Sequence, residues 1–164
     1  MNTLVALHAV NPGTWDQVRL VLATEFALPE AGTLTLVIVR LTVALGLGAV
    51  LGMEREVKGR AAGLRTHILV SLGSALFVMA PLLAGVSMAD VTRVMQGIVS
   101  GIGFLGAGAI LKLDQAERVQ GLTTAAGIWT TAAIGMAAGM GMSLLAVATT
   151  LAALAVFSLL PRWL

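Results

Sequence analysis

The stretch Gln96-Gly97-Ile98-Val99-Ser100-Gly101-Ile102-Gly103-Phe104-Leu105-Gly106-Ala107-Gly108 decides how this chain is read. It is uncharged, polar only at Gln96 and Ser100, and has glycine at 97, 101, 103, 106 and 108. In water each glycine weakens a helix by roughly 1 kcal/mol relative to alanine. In a bilayer the backbone has no solvent partner and must bond internally, so helix is still favoured. Glycine then has a use, because a position without a side chain lets a neighbouring helix come close. Gly97 and Gly101 lie four apart with Gly108 seven further on, and Ser100, Gly103 and Ala107 form a second small-residue row. Two rows predict a helix packed on more than one side, the central span of a small bundle. The same residues spell Gly101-x-Gly103-x-x-Gly106, the dinucleotide fingerprint. That motif works only between a strand and a helix N-terminus. The flanks here are equally apolar and no βαβ unit is visible, so a nucleotide site is not supported.

Composition agrees. Of 164 residues 58% are hydrophobic and 11% charged, with mean hydropathy +0.96. A soluble domain averages about 25% charged residues. With no cysteine, disulfides, thiolate metal sites and cysteine nucleophiles are excluded. The net charge of +2 is spread beside apolar segments, a topology signal rather than a nucleic-acid footprint. No cofactor motif is found, and the surrounding medium is the lipid bilayer.

Working outward from the glycine helix, the expected fold is all-α. It is a polytopic bundle of five transmembrane helices with glycine-rich packing faces, preceded by a short N-terminal interfacial helix. Residues 1–32 form the N-terminal segment and 33–164 the transmembrane domain. The spans are placed at about 33–53, 66–85, 94–111, 122–138 and 143–160. In the N-terminal segment Thr14 and Gln17 resemble a capping box. Trp15, Val18, Leu22 and Phe26 then share a face suited to lying in the interface. Pro29 and Gly32 are read as its end. Ala44, Gly48 and Gly52 repeat every four residues in the first span; Gly127, Thr131, Gly135 and Gly139 do so in the fourth. The uncharged run 121–161 is too long for one span and fits two, turning at Gly139-Met140-Gly141-Met142-Ser143.

Polar residues inside or beside spans are the functional candidates. Arg40 lies within the first span, either snorkelling or ion-paired, with Asp90 as the expected partner, or serving as a working charge. Glu54, Arg65 and His67 lie in the segment 54–67, which reads as a positive-inside anchor or as a surface for an anion, a lipid head group or a partner. Glu54 and Glu56 among four bases make a poor Mg²⁺ site. Asp90, Arg93 and Gln96 precede the glycine helix, and Thr123 and Thr124 open the fourth span. The expected helix-packing positions are Gly48, Gly52, Gly97, Gly101, Gly103, Gly106, Gly108, Gly127 and Gly135. Lys and Arg are denser in the 54–65 and 112–120 loops than on the other side, which predicts the N-terminus outside and the C-terminus in the cytoplasm.

Four blocks resemble the MgtC/SapB family of bacterial inner-membrane proteins. They are Gly52-x-Glu54-Arg55-Glu56, Ala62-Gly63-Leu64-Arg65-Thr66-His67, Ser100 to Gly108, and Gly121-Leu122-Thr123-Thr124-Ala125-Ala126 with Trp129. Together they cover about residues 40 to 140. The family is linked to growth at low Mg²⁺, to survival of pathogens inside macrophages and to acid resistance. Its best-known member is described as acting on other membrane proteins, including the F-type ATP synthase and a P-type Mg²⁺ pump. The resemblance implies a non-enzymatic integral membrane protein of the short form, without the C-terminal cytoplasmic domain that many members carry. The small-residue rows also suggest a homo-oligomer, with a dimer as the simplest case. The alternative is a small transporter or channel built on Arg40, Asp90, Arg93, Gln96 and the span-four threonines. No run of acids crosses the core, and no nucleophile–base pair or metal cluster marks an enzyme.

Overall fold

In the computed structural model residues 13–112 and 119–159 are described. They form six helices: α1 (Thr14–Glu25), α2 (Ala31–Val57), α3 (Leu64–Leu83), α4 (Met88–Gly108), α5 (Leu122–Gly139) and α6 (Ser143–Leu159). Between α4 and α5 lie two short antiparallel strands, β1 (Leu111–Lys112) and β2 (Val119–Gln120), paired Leu111 to Gln120 and Lys112 to Val119. The sequence reading had only a polar connector there. α2 and α3 are long and apolar enough to cross a membrane; α6 is a shorter apolar helix.

The chain divides into two units at Leu34/Thr35. In the first, every residue of α1 is exposed. Its N-cap is Gly13 and no side chain caps it, so the Thr14 capping box does not form as expected. Gly32 lies inside α2, not in the break before it.

The second unit is held by α5, which packs on α3, α4 and α6. Eleven of its 18 residues are buried, whereas α4 buries only Val91, Ile102 and Gly106. This reverses the expected centre: the hub is α5, and the 96–108 stretch is mostly exposed. The reason is which small row finds a partner. A Cβ on Gly135 would overlap the backbone carbonyl of Ser71, and one on Gly139 that of Ala75. Ser71 and Ala75 are themselves four apart, so two small rows interlock and α3 and α5 touch backbone to backbone. α3 also receives α2 closely. A Cβ on Gly48 would sit 2.8 Å from the His67 carbonyl oxygen, and one on Gly52 2.7 Å from the Leu64 Cα. The buried Ser71 hydroxyl donates to the Ala44 carbonyl at 2.7 Å and locks that pair. By contrast, among the described residues a Cβ on Gly97, Gly101, Gly103 or Gly108 meets nothing within 4 Å, whereas one on Gly106 would touch Ala125 at 3.5 Å.

Helices α2, α3 and α5 end alike. The amides of Arg60, Val86 and Met142 reach back to Arg55, Pro81 and Ala137, and each bond closes over a glycine of positive φ (Gly59, Gly85, Gly141). The turn expected at 139–143 is the last of these. Thus α3 runs opposite to α2, and the pattern alternates through α6.

The two classes of glycine separate in a stability assay. Gly135→Ala is expected to cost about 1–3 kcal/mol or more, as overpacking does. Gly101→Ala is expected to be neutral or to gain up to about 1 kcal/mol from helix propensity. Thermal unfolding of the two variants in detergent reads the difference.

Candidate functional site

The polar residues gather at the two ends of the bundle. At one end α2 runs four residues beyond the expected span limit, so Glu54, Arg55 and Glu56 are helical. Arg55 then falls on the Gly48–Leu51–Gly52 face and is drawn inside, 1% exposed. Its Nε donates to the Glu54 carboxylate. Its guanidinium lies over the Phe157 ring of α6, 3.7 Å from the centroid. Lys58 Nζ pairs with Glu54 Oε1 at 2.6 Å and donates to the Phe157 carbonyl at 2.8 Å, closing the C-terminal turn of α6. Glu56 reaches forward instead, its Oε2 accepting from the Leu64 amide at 2.7 Å. It therefore caps α3, whose N-cap residue, Gly63, has no side chain to do so. A Cβ on Gly63 would lie 2.7 Å from that same oxygen. One turn of charged residues thus ties the ends of α2, α3 and α6 together.

His67 is fully buried beside this cluster. Its Nδ1 is 2.9 Å from the Gly63 carbonyl. A carbonyl only accepts, so Nδ1 carries the proton and Nε2 of the neutral ring is a bare acceptor. Nε2 has no hydrogen-bond partner, nor does the Arg55 Nη1. A Cβ on Gly127 would be 3.5 Å from Nε2 and 3.4 Å from Phe157.

At the other end Arg40 Nη1 donates to the Gly139 carbonyl at 2.9 Å. That carbonyl closes α5, where a cation opposes the negative end of the helix dipole. A Cβ on Gly141 would lie 2.6 Å from the Arg40 Nη2, so this position requires glycine for space as well as for its φ of 82°. The expected Arg40–Asp90 pair does not form. Asp90 instead sits in the first turn of α4, where the Ser87 hydroxyl donates to its Oδ2 at 2.7 Å. Its ion pair is with Arg93 at 3.5 Å, both side chains mostly exposed. Local capping satisfied Asp90, and the free carbonyl of α5 was the nearer acceptor for Arg40.

Of the sequence candidates, the structure therefore joins Glu54 and His67 in one cluster, with Arg65 exposed at the same end. Thr124 is buried and Thr123 exposed at the start of α5. Asp90, Arg93 and Gln96 are exposed on α4. The sequence reading missed Arg55 and Lys58 as individual residues, and weighed Glu56 only as a cation ligand. The signal was present, since extending the Ala44–Gly48–Gly52 row by one turn reaches Arg55. Among the described residues no three His, Cys, Asp or Glu side chains come together as a metal-ligand set. Both carboxylates weighed for Mg²⁺ are engaged, Glu54 by two bases and Glu56 by an amide.

The sequence profile of the MgtC family matches residues 41–163. The chain belongs to the MgtC family. Among relatives, Protein SrpB of Synechococcus elongatus is 47% identical over 114 residues, 63% of this chain and 63% of that protein. The Putative magnesium transporter YhiD of Escherichia coli K12 is 45% identical over 115 residues, 64% of this chain and 51% of YhiD. Protein MgtC of Brucella abortus is 47% identical over 115 residues, 70% of this chain and 47% of that protein. The matched region thus spans about half to under two-thirds of these relatives. No solved structure matches significantly. The matched residues include the Glu54–Lys58 turn and the α5 hub.

Arg55→Ala removes a buried cation and leaves Glu54 with Lys58 alone, which is expected to cost about 3–5 kcal/mol. Lys58→Ala, with its side chain 39% exposed, is expected to cost less than about 1 kcal/mol beyond its cap. Equal shifts in thermal midpoint for the two variants would contradict the assignment of Arg55 as the anchor.

Proposed function

We propose that this chain is a multi-pass protein of the bacterial inner membrane that acts, without catalysing a reaction, on other membrane proteins during adaptation to low Mg²⁺ or acid. In this reading α2 to α6 are five spans, the N-terminus is outside, and the Glu54–Arg65 end faces the cytoplasm. The observation that carries it is the open face of α4. Gly97 and Gly101 line a groove of about 650 Å³ between α3 and α4, walled by Leu69, Phe77, Val94 and Leu105. A Cβ added at either glycine meets nothing within 4 Å among the described residues. A groove of that kind fits a transmembrane helix of a partner, since small residues permit close helix contact where lipid surrounds them. Partners of the class the family resemblance implies are the F-type ATP synthase and a P-type Mg²⁺ pump; a second copy of the chain is the homo-oligomeric case.

The placement of charge supports the same reading. Arg40, Arg55, Lys58, Glu54 and Glu56 are each engaged at helix ends. That leaves them as structural ties, whereas a transport path needs polar groups through the core. The relatives' names MgtC and putative magnesium transporter support the link to magnesium.

Liposomes containing only this protein are expected to show no Mg²⁺ or proton flux. Co-reconstitution with purified ATP synthase or Mg²⁺ pump is expected to change the partner's ATPase rate at least about twofold, an effect lost in Gly101→Leu while the thermal midpoint is kept. Flux by the protein alone, abolished in Arg40→Gln, would replace this reading with transport.

A further inference from the structure

A second cavity, of about 470 Å³, opens at the end of the bundle that carries the Glu54–Lys58 turn. It is walled by Gly59, Arg60 and Ala61 after α2, Ala109 after α4, and Gln120, Gly121 and Thr124 at the start of α5. Its shape is fixed by backbone. Gly121, at φ 93°, lies so close to the Ala109 carbonyl that a Cβ would overlap it.

Unmatched donors line the cavity. Arg60 Nε is buried without a hydrogen-bond partner, and Arg60 forms no ion pair among the described residues. Thr124 is 5% exposed. The other two buried threonines, Thr131 and Thr150, donate to carbonyls four residues back. Four residues before Thr124 stands Gln120, outside the helix, and the Thr124 hydroxyl has no hydrogen bond to any described residue. α5 itself opens on Gly121 with no side-chain cap. Its first backbone bond runs from the Ala125 amide to the Gly121 carbonyl, so the amides of Leu122, Thr123 and Thr124 lack backbone acceptors. The Ala109 carbonyl faces Gly121, and among the described residues no carboxylate lines the cavity.

We propose that this cavity binds a phosphate-bearing anion, held by the Arg60 guanidinium, the Thr124 hydroxyl and the amides that open α5. The guanidinium fork matches phosphate oxygens, and helix N-termini present both N–H groups and positive potential to an anion. Among the described residues, Glu54 and Glu56 at the same end are already engaged. The same chemistry is offered by an anionic lipid headgroup at the membrane edge and by free phosphate. The inference stands on the cavity and not on the partner-docking reading, so either survives failure of the other.

The test uses the full chain purified in detergent. One arm measures retention of phosphatidylglycerol against phosphatidylcholine by native mass spectrometry; the other measures inorganic phosphate by calorimetry. Arg60→Gln is expected to weaken binding about tenfold and Thr124→Val about threefold, in line with charged and neutral hydrogen bonds. Loss in the first arm identifies a lipid source, loss in the second a free anion. Circular dichroism checks folding. Should Arg60→Gln not fold, Arg60→Lys, which keeps the charge and loses the fork, carries the test alongside Thr124→Val. Wild-type protein that retains neither probe overturns the proposal, as do variants that bind as wild type does. An equal loss in Arg65→Gln, an exposed cation at the same end, also overturns it by showing diffuse surface charge.

Discussion

The fold depends on the close approach of two backbones, α3 and α5. Ser71 and Ala75 meet Gly135 and Gly139 where no side chain of any size fits. In oil there is no hydrophobic gain from bringing two apolar helices together, so packing contact and local hydrogen bonds must hold them. The α3–α5 seam supplies the contact. Once α3 is seated on α5, its other side takes α2 through Gly48 and Gly52, and the Ser71 hydroxyl bonds across to Ala44. α4 and α6 then cover the remaining faces of α5.

The charged residues complete this arrangement at its two ends. Helix termini leave carbonyls and amides unmatched, and burying them without partners costs free energy. Arg40 answers the last carbonyl of α5, Lys58 a carbonyl in the last turn of α6, and Glu56 the first amide of α3. Each cap comes from a different helix than the one it closes, so capping also fixes the register between helices. Arg55 adds a cation against the Phe157 ring, joining α2 to α6 by a contact that needs no water.

Much of the helical layout was legible in the sequence. The apolar runs and the turn at 139–143 correspond to structure, and of the four-residue small rows those of α2 and α5 meet a neighbour while that of α4 does not. What sequence did not reveal was which row meets a partner. Gly97–Gly101 and Gly135–Gly139 carry the same local signal, and only the tertiary arrangement tells that the second pair faces Ser71 and Ala75. The Arg40–Asp90 expectation failed for a related reason. Charge complementarity and a shared side made the pair plausible, but Asp90 had a local cap partner in Ser87 and Arg40 a carbonyl in Gly139. Backbone acceptors are invisible to a search for opposite charges. The site at the Glu54 end was half legible: Glu54 and His67 were singled out, while Arg55 lay just beyond the span limit drawn at Met53.

The unpacked glycines of α4 are then the feature that the single chain leaves unexplained. A helical glycine costs roughly 1 kcal/mol against alanine, and in α5 close contact offsets that cost. On α4 the positions Gly97, Gly101, Gly103 and Gly108 incur it with no contact in return. Alanine would serve a helix that faces only lipid at least as well, since lipid makes no demand for close backbone approach. A helix approaching from outside the chain does make that demand, and the groove beside Gly97 and Gly101 is bounded by apolar side chains on both flanks. The same physics that seats α3 on α5 would seat a helix there, and that is the support the missing side chains lend to the proposal of a partner in the membrane.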